Sequence, residues 1–103
     1  KGKAVIHSSS FKYLDDLTSM IKRMQSYQLK ITSHTDNTGD AQKNLKLAKD
    51  RAQAVKDYLV KQSLDGNQIS CFGKGGSKPV ATNSTPAGRA KNNRVIIELK
   101  AGN

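Results

Sequence analysis

Residues 28–62 read QLKITSHTDNTGDAQKNLKLAKDRAQAVKDYLVKQ, two periodicities separated by a turn. From Gln28 to Thr35 the pattern alternates, with Leu29, Ile31 and Ser33 on one face, as in a half-buried strand. Asn37-Thr38-Gly39-Asp40 is turn chemistry. From about Ala41 to Gln62 the period becomes helical. Leu45, Ala48, Ala52, Val55 and Leu59 draw a buried stripe, and Lys43, Lys46, Lys49, Asp50, Lys56 and Asp57 take the wet sides. A strand, a tight turn and a long helix form the unit around which the rest must arrange itself.

Upstream, Phe11, Leu14, Leu17, Met20, Ile21 and Met24 recur at spacings of three and four and predict a helix over Ser10 to Gln25. Serines 8 to 10 are its candidate N-caps, and Asp15 and Asp16 lie in an early turn. Lys3 to Ile6 is a candidate extra strand. Downstream, Asp65-Gly66-Asn67 breaks the chain, Ile69 to Phe72 reads as a short strand, and Arg94 to Lys100 closes with Val95, Ile97 and Leu99 on one face. Between them, Gly73 to Asn92 is rich in Gly, Ser, Pro, Thr and Asn and reads as a long loop, of the kind that is functional or has local structure of its own. The pattern predicts an α+β fold, two helices packed on one face of a mixed β-sheet, in a single domain over residues 1–103.

Apolar residues make up 35% and there is no Trp, so the core must rest on Leu, Ile, Val and Ala. The longest apolar runs, such as Val95-Ile96-Ile97, are far short of the roughly 18 residues that span a bilayer. The opening Lys1-Gly2-Lys3 carries no secretory signal, so a soluble domain or a piece of a larger protein is expected. The net charge of +10 favours polyanions: nucleic acid, anionic lipid or a carboxylate-rich wall polymer. The lysines are scattered, however, without a run of five or six, which fits a merely solvated surface equally well.

The chemistry concentrates between His34 and Ala52. Asp36 stands at the carboxyl end of a strand just before a turn, where its side chain can project from the sheet edge. Asn44 and Arg51 are seven apart, about two helical turns, and share a face. Carboxylate, amide and guanidinium can therefore converge beside the strand-to-helix connection. An amino acid headgroup calls for such a set, with Asp accepting from its ammonium and Arg forking onto its carboxylate. Taken singly, the same pair reads as a salt bridge or as unrelated surface charges.

Two separated blocks lift it above that reading. Thr35-Asp36, Gly39, Asn44, Leu47 and Arg51-Ala52 form the first; Gly73, Gly75, Pro79, Asn83, Gly88-Arg89, Asn92 and Arg94-Val95 form the second. In this register the chain resembles the OmpA-like C-terminal peptidoglycan-binding domains of the OmpA, Pal and MotB type, over about two-thirds of its length. The resemblance implies a non-enzymatic, cofactor-free domain that binds the diaminopimelate of the peptidoglycan stem peptide. It implies a βαβαββ-like order with the first strand truncated here, and a tether between the wall and an outer-membrane protein or lipoprotein in the Gram-negative periplasm. It makes Asp36 and Arg51 the principal contacts, has Thr35, Asn37 and Asn44 shape the pocket, and carries one groove-side arginine to Arg94. The residues around Gly88-Arg89 and Asn92 to Arg94 it assigns mostly to bracing the loop. The chain departs from the pattern at Ser33 (usually Gly), Ala48 (usually Ser) and Asn93 (usually Arg), so no ligand contact is carried to Asn93.

Other chemistries fail on spacing. Gly73-Lys74-Gly75-Gly76-Ser77-Lys78-Pro79 lacks the last glycine of a dinucleotide loop, contains no G-x-x-x-x-G-K, and misses the nucleophile elbow by its final residue. His7, His34 and Cys71 have no metal-ligand spacing, so no metal is expected. His34 reads as a packing or hydrogen-bonding residue. The aromatics Phe11, Tyr13, Tyr27, Tyr58 and Phe72 are not interleaved with Lys or Arg as a base-stacking platform would be. Nucleic-acid binding stays as the alternative on charge alone, and no nucleic-acid partner is expected.

Overall fold

The computed structural model describes residues 3–6 and 11–101. In chain order these are strand β1 (Lys3–Ile6), helix α1 (Phe11–Ile21), strand β2 (Tyr27–His34), helix α2 (Ala41–Lys61), strand β3 (Ile69–Gly75), helix α3 (Pro86–Asn92) and strand β4 (Arg94–Ala101). The strands form one mixed sheet in the order β1-β4-β2-β3. β2 pairs with β3 in parallel, and β4 lies antiparallel to both β2 and β1. The parallel pair requires a crossover, and α2 supplies it.

Both long helices lie on one face, as the pattern predicts. Leu14, Leu17 and Ile21 of α1 and Ala52, Val55 and Leu59 of α2 share one core with Leu29, Ile31, Ile69, Val95 and Ile97 of the sheet. The Tyr58 hydroxyl ties the helices together by donating to Asp15 Oδ1 at 2.6 Å. α1 is shorter than the sequence predicts. Arg23 N–H bonds to Met20 O and Met24 N–H to Ile21 O, and these i to i+3 bonds tighten the chain and end the helix. Two members of its expected stripe, Phe11 and Met20, are exposed, because the α1 residues that reach the sheet are Leu14, Leu17, Thr18 and Ile21. The serine caps proposed at positions 8 to 10 lie outside the described residues.

α2 begins where the turn chemistry ends. Asp40 is its N-cap, with Oδ1 accepting from Gln42 N at 2.7 Å and Lys43 N at 3.3 Å. Gly39 enters the cap at φ +83°, a conformation that favours glycine. The helix then passes close over β3: a Cβ on Gly73 would collide with the backbone of Lys49.

The expected long loop from Gly73 to Asn92 is corrected at both ends. β3 runs on to Gly75, and α3 occupies Pro86–Asn92. Thr85 caps α3, its hydroxyl accepting from Gly88 N at 3.0 Å, and Pro86 fills the first turn, where a missing N–H costs nothing. What remains is tied down by Asn92, which is fully buried. Its Oδ1 accepts from Val80 N at 2.7 Å and Ala81 N at 3.0 Å, and its Nδ2 donates to Ala81 O at 3.0 Å and Asn83 Oδ1 at 2.8 Å.

Candidate functional site

β2 delivers the chain to the sheet's edge, and the segment from Thr35 to Asp40 is then held from three sides. Thr35 is buried; its N–H bonds to Gly75 O at 2.9 Å and its hydroxyl to Asp36 O at 2.8 Å. From α2, Asn44 Nδ2 donates to Thr38 O at 2.8 Å and more weakly to Asp36 O at 3.5 Å. From the start of β4, Asn93 grips Asp36 twice. Its Oδ1 accepts from Asp36 N at 3.0 Å and its Nδ2 donates to Asp36 Oδ2 at 2.9 Å. Thr38 N closes the turn on Asp36 Oδ1 at 2.8 Å.

Asp36 is therefore oriented but not enclosed. It is half-buried and takes part in no ion pair among the described residues, where the two pairs are Lys12–Asp16 and Lys46–Asp50. Hydrogen bonds from Thr38, then from Asn93, hold its carboxyl below the usual aspartate value, with the charge of Arg89 adding to them. The carboxylate is ionised at neutral pH and keeps lone pairs for a donor from solvent.

The other expected site residues divide. Arg51 is half-buried on α2, and its side chain makes no hydrogen bond or ion pair among the described residues. Asn37 is exposed, and with Asn44 it lines a groove of about 540 Å³ between the start of α2 and the Gly73–Ser77 segment. Arg94 is buried, and its terminal nitrogens donate to Asn92 O at 3.2 Å and Lys78 O at 2.9 Å. Among the described residues no carboxylate pairs with it, and the guanidinium braces the loop against the sheet. Arg89 braces the same loop through Asn83 O at 3.0 Å.

His34 stands opposite Arg94 in the β2/β4 register. It is buried, its Nδ1 has no hydrogen-bond partner among the described residues, and burial, then the charges of Arg94, Lys74 and Lys78, push its pKa down to about 4. It is a neutral packing residue at physiological pH. A larger concavity of about 620 Å³ lies on the sheet face away from the helices, with Lys30, Ser70, Phe72 and Glu98 in its wall. It contains none of the motif residues, so chemistry and not size locates the site.

Asn93 is marked in the sequence only as a departure from the family pattern, and its contact with Asp36 is not revealed there. It lies 57 residues from Asp36, and no local pattern links two positions so far apart.

The domain is of the α+β class: a mixed sheet covered on one face, with an anchored carboxylate just past the end of the inner strand β2 and, on the following helix, an arginine in no ion pair among the described residues. The comparisons give the family: the OmpA family model matches residues 1–93, and the chain belongs to that family. It is similar to the peptidoglycan-binding protein ArfA of Mycobacterium tuberculosis, 38% identical over 89 residues, covering 86% of this chain and 27% of that protein. It is also similar to outer membrane porin F of Pseudomonas aeruginosa, 36% identical over 100 residues, covering 96% of this chain and 29% of that protein. The chain thus spans less than a third of the length of these relatives. Among solved structures, the cell wall anchor of the T6SS from Pseudomonas aeruginosa superposes with a TM-score of 0.76 at 31% identity, covering 90% of this chain and 66% of that one.

Proposed function

We propose that this domain binds peptidoglycan non-covalently, gripping the side-chain end of diaminopimelate in the stem peptide. Asp36 accepts from the ligand's ammonium, and Arg51 forks onto its carboxylate. Thr35, Asn37 and Asn44 shape the turn and groove, and Arg94 stands behind them as a brace. The domain catalyses nothing; it is one domain of a longer envelope protein. That protein is an outer-membrane protein or lipoprotein, tethered to the wall in the periplasm of a Gram-negative bacterium.

The observation that carries this reading is the state of Asp36, held by hydrogen bonds on both carboxylate oxygens yet neutralised by no cation within ion-pair distance among the described residues. An oriented carboxylate at a surface turn, left without a cation partner, is suited to accepting a charge-assisted hydrogen bond from outside. Family membership, a relative named as peptidoglycan-binding and a similar structure titled a cell wall anchor support the identity of the polymer.

The test is co-sedimentation with isolated sacculi across a salt series. Asp36→Ala or Arg51→Ala should weaken binding roughly ten- to a hundredfold, because a hydrogen bond to a charged group is worth about 1.5–3 kcal/mol. Retained affinity in both variants sinks the assignment. Duplex DNA in the same series separates charge-driven binding, which falls steeply with salt, from headgroup recognition.

A further inference from the structure

We infer that Asn93 is a positioning residue for Asp36: its side-chain amide clips the aspartate at backbone and carboxylate together and fixes the direction from which the carboxylate can be met. This role rests on the proposed function, since it prepares the contact assigned there to Asp36.

The clip is closed on all sides. Asn93 Oδ1 accepts from Asp36 N at 3.0 Å while Nδ2 donates to Asp36 Oδ2 at 2.9 Å, so one planar amide meets the backbone and the side chain of the same residue. With both ends of Asp36 bonded to one rigid group, rotation of the carboxylate about its side-chain bonds is blocked. The second Nδ2 proton goes to Arg89 O at 3.1 Å, and Asn93 N–H also bonds to Arg89 O at 3.1 Å. The amide therefore has no freedom of its own, being pinned at the junction of α3 and β4. Asn93 is the C-cap of α3 and precedes the first residue of β4, so the sheet and the short helix set the orientation of a carboxylate 57 residues away.

The neutrality of the clip matters as much as its geometry. Where the family pattern usually has an arginine, this chain has an amide, bonded to Asp36 at backbone and carboxylate. An amide orients the carboxylate and leaves its charge unspent. The charge of Arg89 also acts on Asp36, while its guanidinium donates to Asn83 O. With Thr38 N on one oxygen and Asn93 on the other, each oxygen retains a lone pair for the ligand.

The experiment follows the Asp36 carboxyl by NMR titration in the unliganded domain and, in parallel, measures affinity for sacculi. Asn93→Ala removes the clip. Asn93→Asp is isosteric, keeps an acceptor for Asp36 N–H, and replaces the donor facing the carboxylate with a second carboxylate; it carries the measurement if the alanine variant does not fold. In both variants the Asp36 carboxyl should titrate higher than in the parent, and affinity should fall about tenfold, the equivalent of one charge-assisted hydrogen bond. Hydrogen exchange at Asp36 N–H should accelerate in Asn93→Ala and much less in Asn93→Asp. In an Asp36→Ala background, Asn93→Ala should cost no further affinity, because the two residues act as one unit. An unchanged Asp36 titration in both variants overturns the positioning role and leaves the binding site intact. A raised Asp36 titration with undiminished affinity overturns the proposed ligand contact itself, and the positioning role with it.

Discussion

His34 gives the account a quantitative test that needs no ligand. The buried imidazole is protonated in the folded chain only near pH 4, against 6.5 when unfolded, chiefly through desolvation and then through the cations Arg94, Lys74 and Lys78. Its folded pKa lies below its unfolded one. Between those two values the unfolded chain takes up a proton that the folded chain refuses, so stability falls as pH falls through that window. Above pH 6.5 the group contributes no slope, and below about pH 4 it adds none further. At about 1.4 kcal/mol per pH unit, the loss is about 1 kcal/mol at pH 5.5 and about 2–3 kcal/mol at pH 4.5. Urea unfolding followed by circular dichroism at pH 7.5, 5.5 and 4.5 measures it. His34→Leu, of similar volume and without a titrating group, should flatten the wild-type decline by those amounts. The carboxyl of Asp36, held below its ordinary value, loses its share of stability only at still lower pH and leaves this window undisturbed. Equal slopes in the two proteins would refute the claim that His34 is buried neutral beside Arg94.

Two substitutions test the devices that hold the site's surroundings. Asn92→Ala empties a fully buried position and leaves the N–H groups of Val80 and Ala81 without their acceptor; it should cost roughly 1–3 kcal/mol, read as a lower urea midpoint at constant m. Gly73→Ala drives a methyl group into the backbone of Lys49 and should cost at least about 1–3 kcal/mol by forcing α2 off β3; a wild-type midpoint would contradict that close approach.

The sequence makes α2, β2 and β4 legible because each carries its apolar residues at its own period. Ala48, Ala52, Val55 and Leu59 are buried as the helical stripe requires, and Leu29, Ile31, Val95 and Ile97 as the alternation requires. α3 escapes such reading because it has no stripe: Pro-Ala-Gly-Arg-Ala-Lys-Asn is fixed by its Thr85 cap and by Asn92, not by an apolar face. The Thr85-Pro86 pair is a start signal hidden in loop-like composition. Phe11 and Met20 satisfy the period of α1 and are exposed nonetheless, since the width of a buried stripe depends on the opposing surface and not on the helix alone.

The site is legible in the same partial way. Asp36 and Asn44 fall on one strand-turn-helix unit, and the turn geometry that joins them follows from local chemistry. The resemblance carries a groove-side arginine to Arg94, but its surroundings turn the guanidinium inward onto Lys78 O and Asn92 O. Asn93 is set by tertiary pairing between β4 and β2, which brings His34 opposite Arg94 and so carries its neighbour to Asp36. No spacing rule encodes that meeting.

In the proposed site, Asp36 and Arg51 read the ammonium and the carboxylate of one headgroup. Calorimetric titration of the domain with stem peptides bearing either diaminopimelate or lysine tests it most directly, since only the former presents both groups together at the side-chain end. The diaminopimelate peptide should bind at least about tenfold tighter, a difference of about 1.4 kcal/mol or more, which Arg51→Ala erases. Equal affinity for the two peptides in the unaltered domain would contradict it.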